Sequence, residues 1–132
     1  MAARLAFAIA LALATGACGR KPDVSGHWMG PLDFGPYAGK FGKPKETTMH
    51  IQFDIRAETG GLRVTMSRED ENQPVPADRV EFQNGELIVA IEKRRHKQYF
   101  DLKLSEDGKE FRGNLRWDAE VLPITMKKLS GA

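Results

Sequence analysis

The feature that most constrains this chain is a two-residue alternation of apolar and polar side chains, which begins near Val24 and continues almost to the C-terminus. In the segment TMHIQFDIR, Met49, Ile51, Phe53 and Ile55 fall on one face, and mostly polar side chains take the other. Successive side chains of a strand point to opposite faces of a sheet, so this spacing predicts a strand with one buried face. The chain from Val24 onward is therefore predicted to be all-β.

Eight segments carry this alternation: SGHWMG, TMHIQFDIR, GLRVTMS, DRVEFQ, ELIVAIE, YFDLKLS, EFRGNLRW and VLPITMKK. Most of the breaks between them have turn chemistry. Asn84-Gly85 is typical of a two-residue hairpin because both positions tolerate positive φ, and Gly60-Gly61 and Asp107-Gly108 suit the same role. The longer stretches PLDFGPYAGKFGKPKE and ENQPVPAD are rich in Gly and Pro and are predicted to be loops, with a continuation of the first strand at residues 32–34 as an alternative within the first stretch.

Strands joined in sequence order by tight turns favour an antiparallel up-and-down sheet. Closure into a barrel removes the exposed strand edges that a small sheet would otherwise present. We therefore predict an eight-stranded antiparallel up-and-down barrel over residues 24–129. A barrel of this size is either filled by side chains or holds one modest ligand.

A different pattern precedes the strands. Arg4 is followed by ten apolar residues, 5–14, which are too few to cross a bilayer but typical of the apolar core of a signal peptide. The following ATGAC, which ends at Cys18, resembles the lipobox of bacterial lipoprotein signal peptides. This resemblance implies cleavage before Cys18 and attachment of lipid, with acyl chains such as palmitate, to its thiol. A plain secretory signal that leaves a free thiol is the alternative.

The lone cysteine favours the lipoprotein interpretation. Cysteines of exported proteins are usually paired, and lipidation would use up an odd, exposed thiol. The predicted organisation is thus a lipoprotein signal peptide at 1–17, a short membrane tether at 18–23 and one barrel domain. Removing residues 1–17 leaves a net charge of about +1, which argues against a nucleic-acid partner.

The barrel segments also resemble a known domain. DVSGHWMG, the run F-x-L-x-L-x-x-D-G-x-x-F-x-G-x-L and the closing LPITMKK are similar to a small lipocalin-like β-barrel domain of bacterial envelope proteins, often found ahead of α/β-hydrolase domains. Gly26-x-Trp28 resembles the G-x-W signature of lipocalins. That resemblance implies that Trp28 plugs the barrel base and that a basic side chain, Lys127 or Lys128, stacks on it. A ligand-stacking role for Trp28 is the alternative.

Candidate ligand-binding residues come from the inward face and from the long loop. Methionine adapts to irregular apolar surfaces, so inward side chains at Met49, Met66 and Met126 would suit a pocket, or equally a packed core. Aromatic side chains in the Gly/Pro-rich loop would close over a ligand at the barrel mouth. The candidate ligand-binding set is Trp28, Phe34, Tyr37, Phe41, Met49, Met66 and Met126.

The segment EKRRHKQ is the sharpest local charge feature. Arg94 and Arg95 are candidate contacts for anionic groups, because guanidinium matches phosphate with two hydrogen bonds. A solvated turn that keeps strand edges apart is the alternative.

No motif points to catalysis. The three histidines have no metal-ligand spacing, and there is no G-x-S-x-G elbow. We expect no enzymatic activity, no metal and no cofactor.

The function expected from the sequence is a non-enzymatic module, anchored in the cell envelope through Cys18, that binds a small apolar or amphipathic ligand. The alternative is a filled structural barrel that docks an envelope protein or an anionic glycan. The expected location is periplasm-facing. Gly19, rather than the Asp associated with inner-membrane retention, favours the outer membrane if the organism is Gram-negative.

Overall fold

A computed structural model describes residues 22–33, 48–69, 73–93 and 96–130. Within these ranges the chain forms nine β-strands in one antiparallel sheet. The strands are β1 (Gly26–Asp33), β2 (Thr48–Glu58), β3 (Gly61–Arg68), β4 (Val75–Pro76), β5 (Arg79–Gln83), β6 (Glu86–Ile91), β7 (Gln98–Leu104), β8 (Glu110–Trp117) and β9 (Glu120–Ser130). The predicted all-β, antiparallel architecture is confirmed.

The strand order across the sheet is β4-β3-β2-β1-β9-β8-β7-β6-β5. Apart from β1, which pairs with β9, neighbouring strands follow each other in the chain, as in an up-and-down meander. We call the end where β1 begins the base. The β2–β3, β5–β6 and β7–β8 turns lie there, and the opposite end is the mouth.

The alternation seen in the sequence sets the two faces of the strands. In β2, the side chains of Met49, Ile51, Phe53 and Ile55 are buried, while Thr48 and His50 between and beside them are exposed. The other long strands also place every second, apolar side chain inward. Together these side chains form one apolar core inside the sheet.

The Asn84-Gly85 turn forms as its sequence predicts. Both residues have positive φ, 55° and 77°, and they connect the paired residues Gln83 and Glu86. These dihedrals belong to the mirror-image turn whose twist matches that of the flanking strands. The β5–β6 hairpin is therefore fixed by two residues.

The predicted count of eight strands is corrected to nine in the described residues. The additional strand is β4, which lies in the stretch expected to be a loop and pairs with β3 through Thr65 and Met66. Pro76 has no N–H to donate, which confines such a segment to an edge of the sheet. A strand of two residues, one of them a proline, is too short to show a periodicity in the sequence.

The middle of the barrel is occupied by aromatic side chains from opposite walls. Phe53 on β2 and Phe100 on β7 make an edge-on contact, with 4.8 Å between ring centroids. Trp28 on β1 lies 4.6 Å from Phe111 on β8. All four rings have no exposed surface, so side chains fill this part of the interior.

The two edges of the sheet meet along a line that we call the seam, where β5 lies beside β3. Toward the mouth, β4 covers the edge of β3, and the main-chain N–H of Ala77 bonds to the carbonyl of Val64 (2.9 Å). The main-chain N–H of the next residue, Asp78, donates to the carbonyl of Ala90 on β6 (2.8 Å). The chain therefore passes from the edge of β3 to the other side of the seam at this point. Toward the base, no ladder joins β3 to β5 in the part of the chain that the structure describes.

The outer face of β6 is also apolar and is covered by its neighbours. Ala90 is paired with Arg79 on one side and Tyr99 on the other, and the Arg79 guanidinium lies 5.9 Å from the centroid of the Tyr99 ring.

Among the described residues no helix has the length and apolar character required to cross a bilayer.

Candidate binding cleft at the barrel base

The unpaired part of the seam opens into a cleft of about 820 Å³ at the barrel base, which we call the base cleft. Three parts of the chain meet around it: the segment before β1, the β2–β3 turn region and strand β5. The described residues that line it are Pro22, Asp23, Val24, Ser25, Ala57, Gly60, Gly61, Leu62, Val80, Glu81, Phe82 and Gln83. The cleft exists because β4 covers the edge of β3 only at its mouth end.

The inner wall of the base cleft is apolar. Val24 belongs to the core, and Leu62, Val80 and Phe82 are partly buried side chains packed against it. Phe82 also makes an edge contact with Phe111, at 6.2 Å between centroids. An apolar group that enters the cleft would therefore replace water over surfaces continuous with the core.

The segment from Pro22 to Ser25 forms one rim of the cleft and is held by polar contacts. The Ser25 main-chain N–H and hydroxyl both donate to Asp23 Oδ1, at 3.0 and 2.6 Å. The indole Nε1 of Trp28 donates to the carbonyl of Val24 (2.9 Å). These bonds fix the course of the chain as it approaches β1.

Lys128 ties the last strand to the same rim. Its Nζ donates to the main-chain carbonyl of Asp23 (3.3 Å) and lies 5.8 Å from the centroid of the Trp28 ring. Trp28 itself has no exposed surface. The resemblance to lipocalins implies Lys127 or Lys128 as the partner of this tryptophan, and the structure places Lys128 there.

Among the described lining residues, two have ionisable side chains, Asp23 and Glu81, and both are carboxylates. Hydrogen bonds from the Ser25 hydroxyl and main-chain N–H lower the pKa of Asp23. Adjacent basic side chains have other partners: Arg56 pairs with Asp54 at 3.3 Å, and Arg63 with Glu58 at 3.5 Å. The described lining residues therefore combine an apolar wall with polar residues at its border.

The described residues of the predicted ligand-binding set do not line this cleft. Trp28, Met49, Met66 and Met126 are at most 3% exposed and belong to the packed core. The remaining predicted site residues, Phe34, Tyr37, Phe41, Arg94, Arg95 and Cys18, lie outside the residues that the structure describes. Their roles stay predictions.

No local pattern in the sequence predicts the base cleft. In the sequence, Leu62, Val80 and Phe82 follow the two-residue alternation, which predicts an inward side chain but no exposed surface. Their partial exposure comes from the open seam, which depends on where β4 ends. That end is set by pairing between segments that are distant in the chain.

Hydrogen-bonded carboxylates connect the loops at the mouth. His50 Nδ1 lies 2.6 Å from Glu69 Oε2, and the hydrogen bonds from the His50 side chain and main-chain N–H lower the pKa of Glu69. His96 Nδ1 lies 2.7 Å from Asp118 Oδ2. In the described ranges, no three His, Cys, Asp or Glu side chains form a group that would hold a metal ion.

The fold defines a class: it is a small, all-β antiparallel barrel with a lipocalin-like fold. The crystal structure of Echinococcus granulosus fatty-acid-binding protein 1 is similar to it, with a TM-score of 0.54 over 80% of this chain and 97% of that chain. The two sequences are 11% identical, so the likeness concerns the fold alone. No protein-family model matches the chain, and no curated protein matches it.

Proposed function

We propose that this chain is a non-enzymatic binding module, anchored in the cell envelope, that holds a small apolar or amphipathic molecule. The observation that carries the proposal is the base cleft of about 820 Å³, whose apolar wall is continuous with the core. Its volume lies in the range of small-molecule sites in proteins, roughly 300–1,000 Å³. The similar barrel of a fatty-acid-binding protein supports the proposal at the level of the fold.

The base cleft is a better candidate site than the middle of the barrel. Ring contacts such as Phe53–Phe100 fill the middle, and a ligand there would have to displace well-packed side chains. The base cleft is open without such displacement. The predicted loop residues at the mouth remain a separate candidate region, outside the described residues.

Membrane attachment would place this cleft close to the bilayer. The proposed lipid site, Cys18, precedes the rim residue Asp23 by five residues. At about 3.3–3.6 Å per residue, this tether would span at most ~18 Å. An anchored molecule would therefore hold the base cleft near the lipid surface, where amphipathic ligands are concentrated.

A cleft-blocking substitution tests the proposal. Ala57 is exposed, lines the cleft and pairs with Leu62 across the β2–β3 ladder. We expect the purified protein without residues 1–17 to bind the neutral fluorescent probe N-phenyl-1-naphthylamine, and Ala57→Trp to weaken this binding roughly tenfold or more. Val121→Trp is the matched control, since Val121 is 52% exposed and is not a lining residue. Equal binding by the two variants, or no binding by the parent protein, contradicts the proposal.

The second candidate function is a filled scaffold that docks an envelope protein or an anionic glycan, and the packed middle of the barrel favours it. Arg94 and Arg95 would then contribute to the contact. Replacing both arginines by Glu should increase the fraction of protein released from envelope membranes at low salt. Replacing Arg112 and Arg116, two exposed residues of β8, by Glu makes the same charge change elsewhere and should release less. Equal retention of both variants counts against this contact.

A further inference from the structure

We infer that the base cleft selects ligands whose apolar tail is joined to their polar part through an amide. This inference rests on the proposed binding function and adds the chemical class of the ligand. It is drawn from the main-chain groups at the two strand edges that face the cleft, those of β3 and β5.

The edge of β3 that faces the cleft carries main-chain groups that its neighbour β2 does not use. The turn between β2 and β3 has two residues and closes on the pair Glu58–Gly61. Because bonded and non-bonded pairs alternate along an antiparallel ladder, the main-chain groups of Leu62 and Val64 point away from β2. The carbonyl of Val64 accordingly accepts from the N–H of Ala77 (2.9 Å). Toward the base, beyond β4, the N–H and carbonyl of Leu62 face the cleft.

The edge of β5 shows the same alternation. The two-residue turn between β5 and β6 closes on the pair Gln83–Glu86, so the main-chain groups of Val80 and Phe82 point away from β6. β5 ends the strand order of the sheet, and within the described residues no ladder forms on this side of it. The N–H and carbonyl groups of Val80 and Phe82 therefore face the cleft from the side opposite β3.

Leu62, Val80 and Phe82 thus combine apolar side chains on the inner wall with main-chain donors and acceptors at the strand edges. An open strand edge pairs readily with an added amide, as when an extended peptide joins a sheet. The carbonyl oxygen of a ligand amide would accept from a main-chain N–H, and the amide N–H would donate to a main-chain carbonyl. A ligand without such groups would cover these main-chain groups and leave them without a partner, which is costly.

Charge at the rim does not favour a charged head group over this neutral one. The carboxylate of Asp23 lies beside the ammonium group of Lys128, which offsets its charge. Glu81 alternates with the inward residues of β5 and pairs with Ile88 on the outer face of the sheet. The main-chain groups at the two edges are therefore the polar features that a ligand in the cleft would meet.

Three uncharged ligands with the same dodecanoyl chain test the inference: N-methyldodecanamide, N,N-dimethyldodecanamide and methyl dodecanoate. Their affinities are measured by displacement of N-phenyl-1-naphthylamine. We expect N-methyldodecanamide to bind roughly fivefold or more tightly than the other two, because a net hydrogen bond between neutral groups is worth a factor of this size. The ester is less polar than the amide, so simple transfer from water would favour the ester instead.

Amide hydrogen exchange in the parent protein locates the contact. Saturation with N-methyldodecanamide should slow exchange at the main-chain N–H groups of Leu62, Val80 and Phe82. Exchange at Glu106, an exposed residue of the β7–β8 turn that does not line the cleft, should stay the same. This measurement does not depend on the folding of any variant.

A proline at the edge of β5 removes one of the donors. Proline has no N–H and is tolerated at a strand edge that makes no ladder bond. Val80→Pro should weaken binding of N-methyldodecanamide roughly threefold or more relative to Val80→Ala, which also shortens the side chain but keeps the N–H. Equal affinities of N-methyldodecanamide and the ester, or unchanged exchange at Leu62, Val80 and Phe82, overturn the inference while the binding function stands. Failure of all three ligands to bind would instead contradict the proposed function itself.

Discussion

The ring of Phe53 on β2 meets the ring of Phe100 on β7 nearly perpendicularly, at 77°, with 4.8 Å between their centroids. The two strands belong to opposite walls, so this contact crosses the inside of the barrel. Edge-to-face aromatic pairs add to the free energy of burial, and close packing makes each of them sensitive to truncation. The middle of this barrel is therefore a structural core.

Truncating this contact should strongly destabilise the protein. Phe100→Ala removes a fully buried ring, and comparable substitutions cost about 3–5 kcal/mol of the free energy of unfolding. Urea denaturation followed by fluorescence measures the loss. Val121→Ala, at a side chain that is 52% exposed, should change the free energy of unfolding by less than ~0.5 kcal/mol. Similar midpoints for the two variants would mean that the rings do not pack across the barrel.

Removing the charge of Lys128 should lower the stability of the barrel and reduce the protection of the segment before β1. Lys128→Met keeps much of the aliphatic stem but removes the contact with the Trp28 ring and the hydrogen bond to the Asp23 carbonyl. We expect a loss of roughly 0.5–1 kcal/mol of unfolding free energy, typical of an exposed cation–π contact. Hydrogen exchange at the Ser25 amide should also become faster.

Lys127→Met is the control for this prediction, because it removes the same charge from the neighbouring, more exposed position. It should leave the Ser25 amide as protected as in the parent protein. If exchange at the Ser25 amide became equally fast in both variants, the protection of this amide would depend on net charge and not on the contacts of Lys128.

The sequence predicts those parts of the fold that depend on local pattern. The period of two in β2 identifies Met49, Ile51 and Phe53 as inward residues, and Asn84-Gly85 identifies its hairpin. Each of these signals lies within a few residues, because strand pleat and turn dihedrals are local properties.

The base cleft could not be predicted in the same way. It depends on β4, Val75–Pro76, ending opposite Thr65 and Met66 and leaving Leu62 beside Phe82 without a strand between them. These residues are brought together by pairing across the barrel. A period of two specifies which face each side chain takes, but it does not specify how far a short edge strand extends.

Two glycines are required where neighbouring strands approach closely. A Cβ at Gly30 would overlap the main-chain oxygen of Thr125, and one at Gly113 would overlap that of Asp101. The obstructing atoms belong to paired strands, so an alanine would force the backbones apart. We expect Gly30→Ala and Gly113→Ala each to lower the unfolding free energy by roughly 2 kcal/mol or more, as for overpacked cores.

Gly85→Ala provides the comparison, since nothing lies within 4 Å of a Cβ there and only its φ of 77° is unfavourable. Strain of that kind costs about 1 kcal/mol. Thermal unfolding should rank Gly85→Ala as the mildest of the three. A milder effect at Gly113 than at Gly85 would contradict the close approach of β7 and β8.

Acid should destabilise the barrel through its hydrogen-bonded carboxylates. Main-chain N–H groups of Glu92 and Lys93 lower the pKa of Asp78, and hydrogen bonds from Ser105 and Lys109 lower the pKa of Asp107. A carboxylate with a lowered folded-state pKa contributes stability that is complete above its unfolded value, about 4. That contribution is lost as the pH falls through the folded-state pKa.

Urea unfolding between pH 6 and pH 2 measures this effect. We expect the contribution of these groups to be constant above about pH 5 and to fall below pH 4. Asp78→Asn should lower the free energy of unfolding at pH 6 and make its decline with falling pH less steep. Glu92→Gln is the control, because it changes an exposed side chain and keeps the main-chain N–H that donates to Asp78. This variant should show the same decline as the parent protein. A decline of equal steepness in Asp78→Asn would mean that Asp78 does not titrate with unfolding.

The proposed anchor depends on one sulfur atom. Cys18→Ser removes the thiol that would carry the lipid, and each buried CH₂ of an acyl chain contributes about 0.8 kcal/mol to membrane affinity. We therefore expect the variant to move from the membrane fraction to the soluble fraction, while Lys21→Ser, also in the predicted tether, stays with the membrane. Intact-mass measurement should show the acyl groups on the parent chain beginning at Cys18. A parent protein that is soluble and has a free thiol would contradict the anchor and favour the plain secretory alternative, while leaving the barrel and its base cleft unaffected.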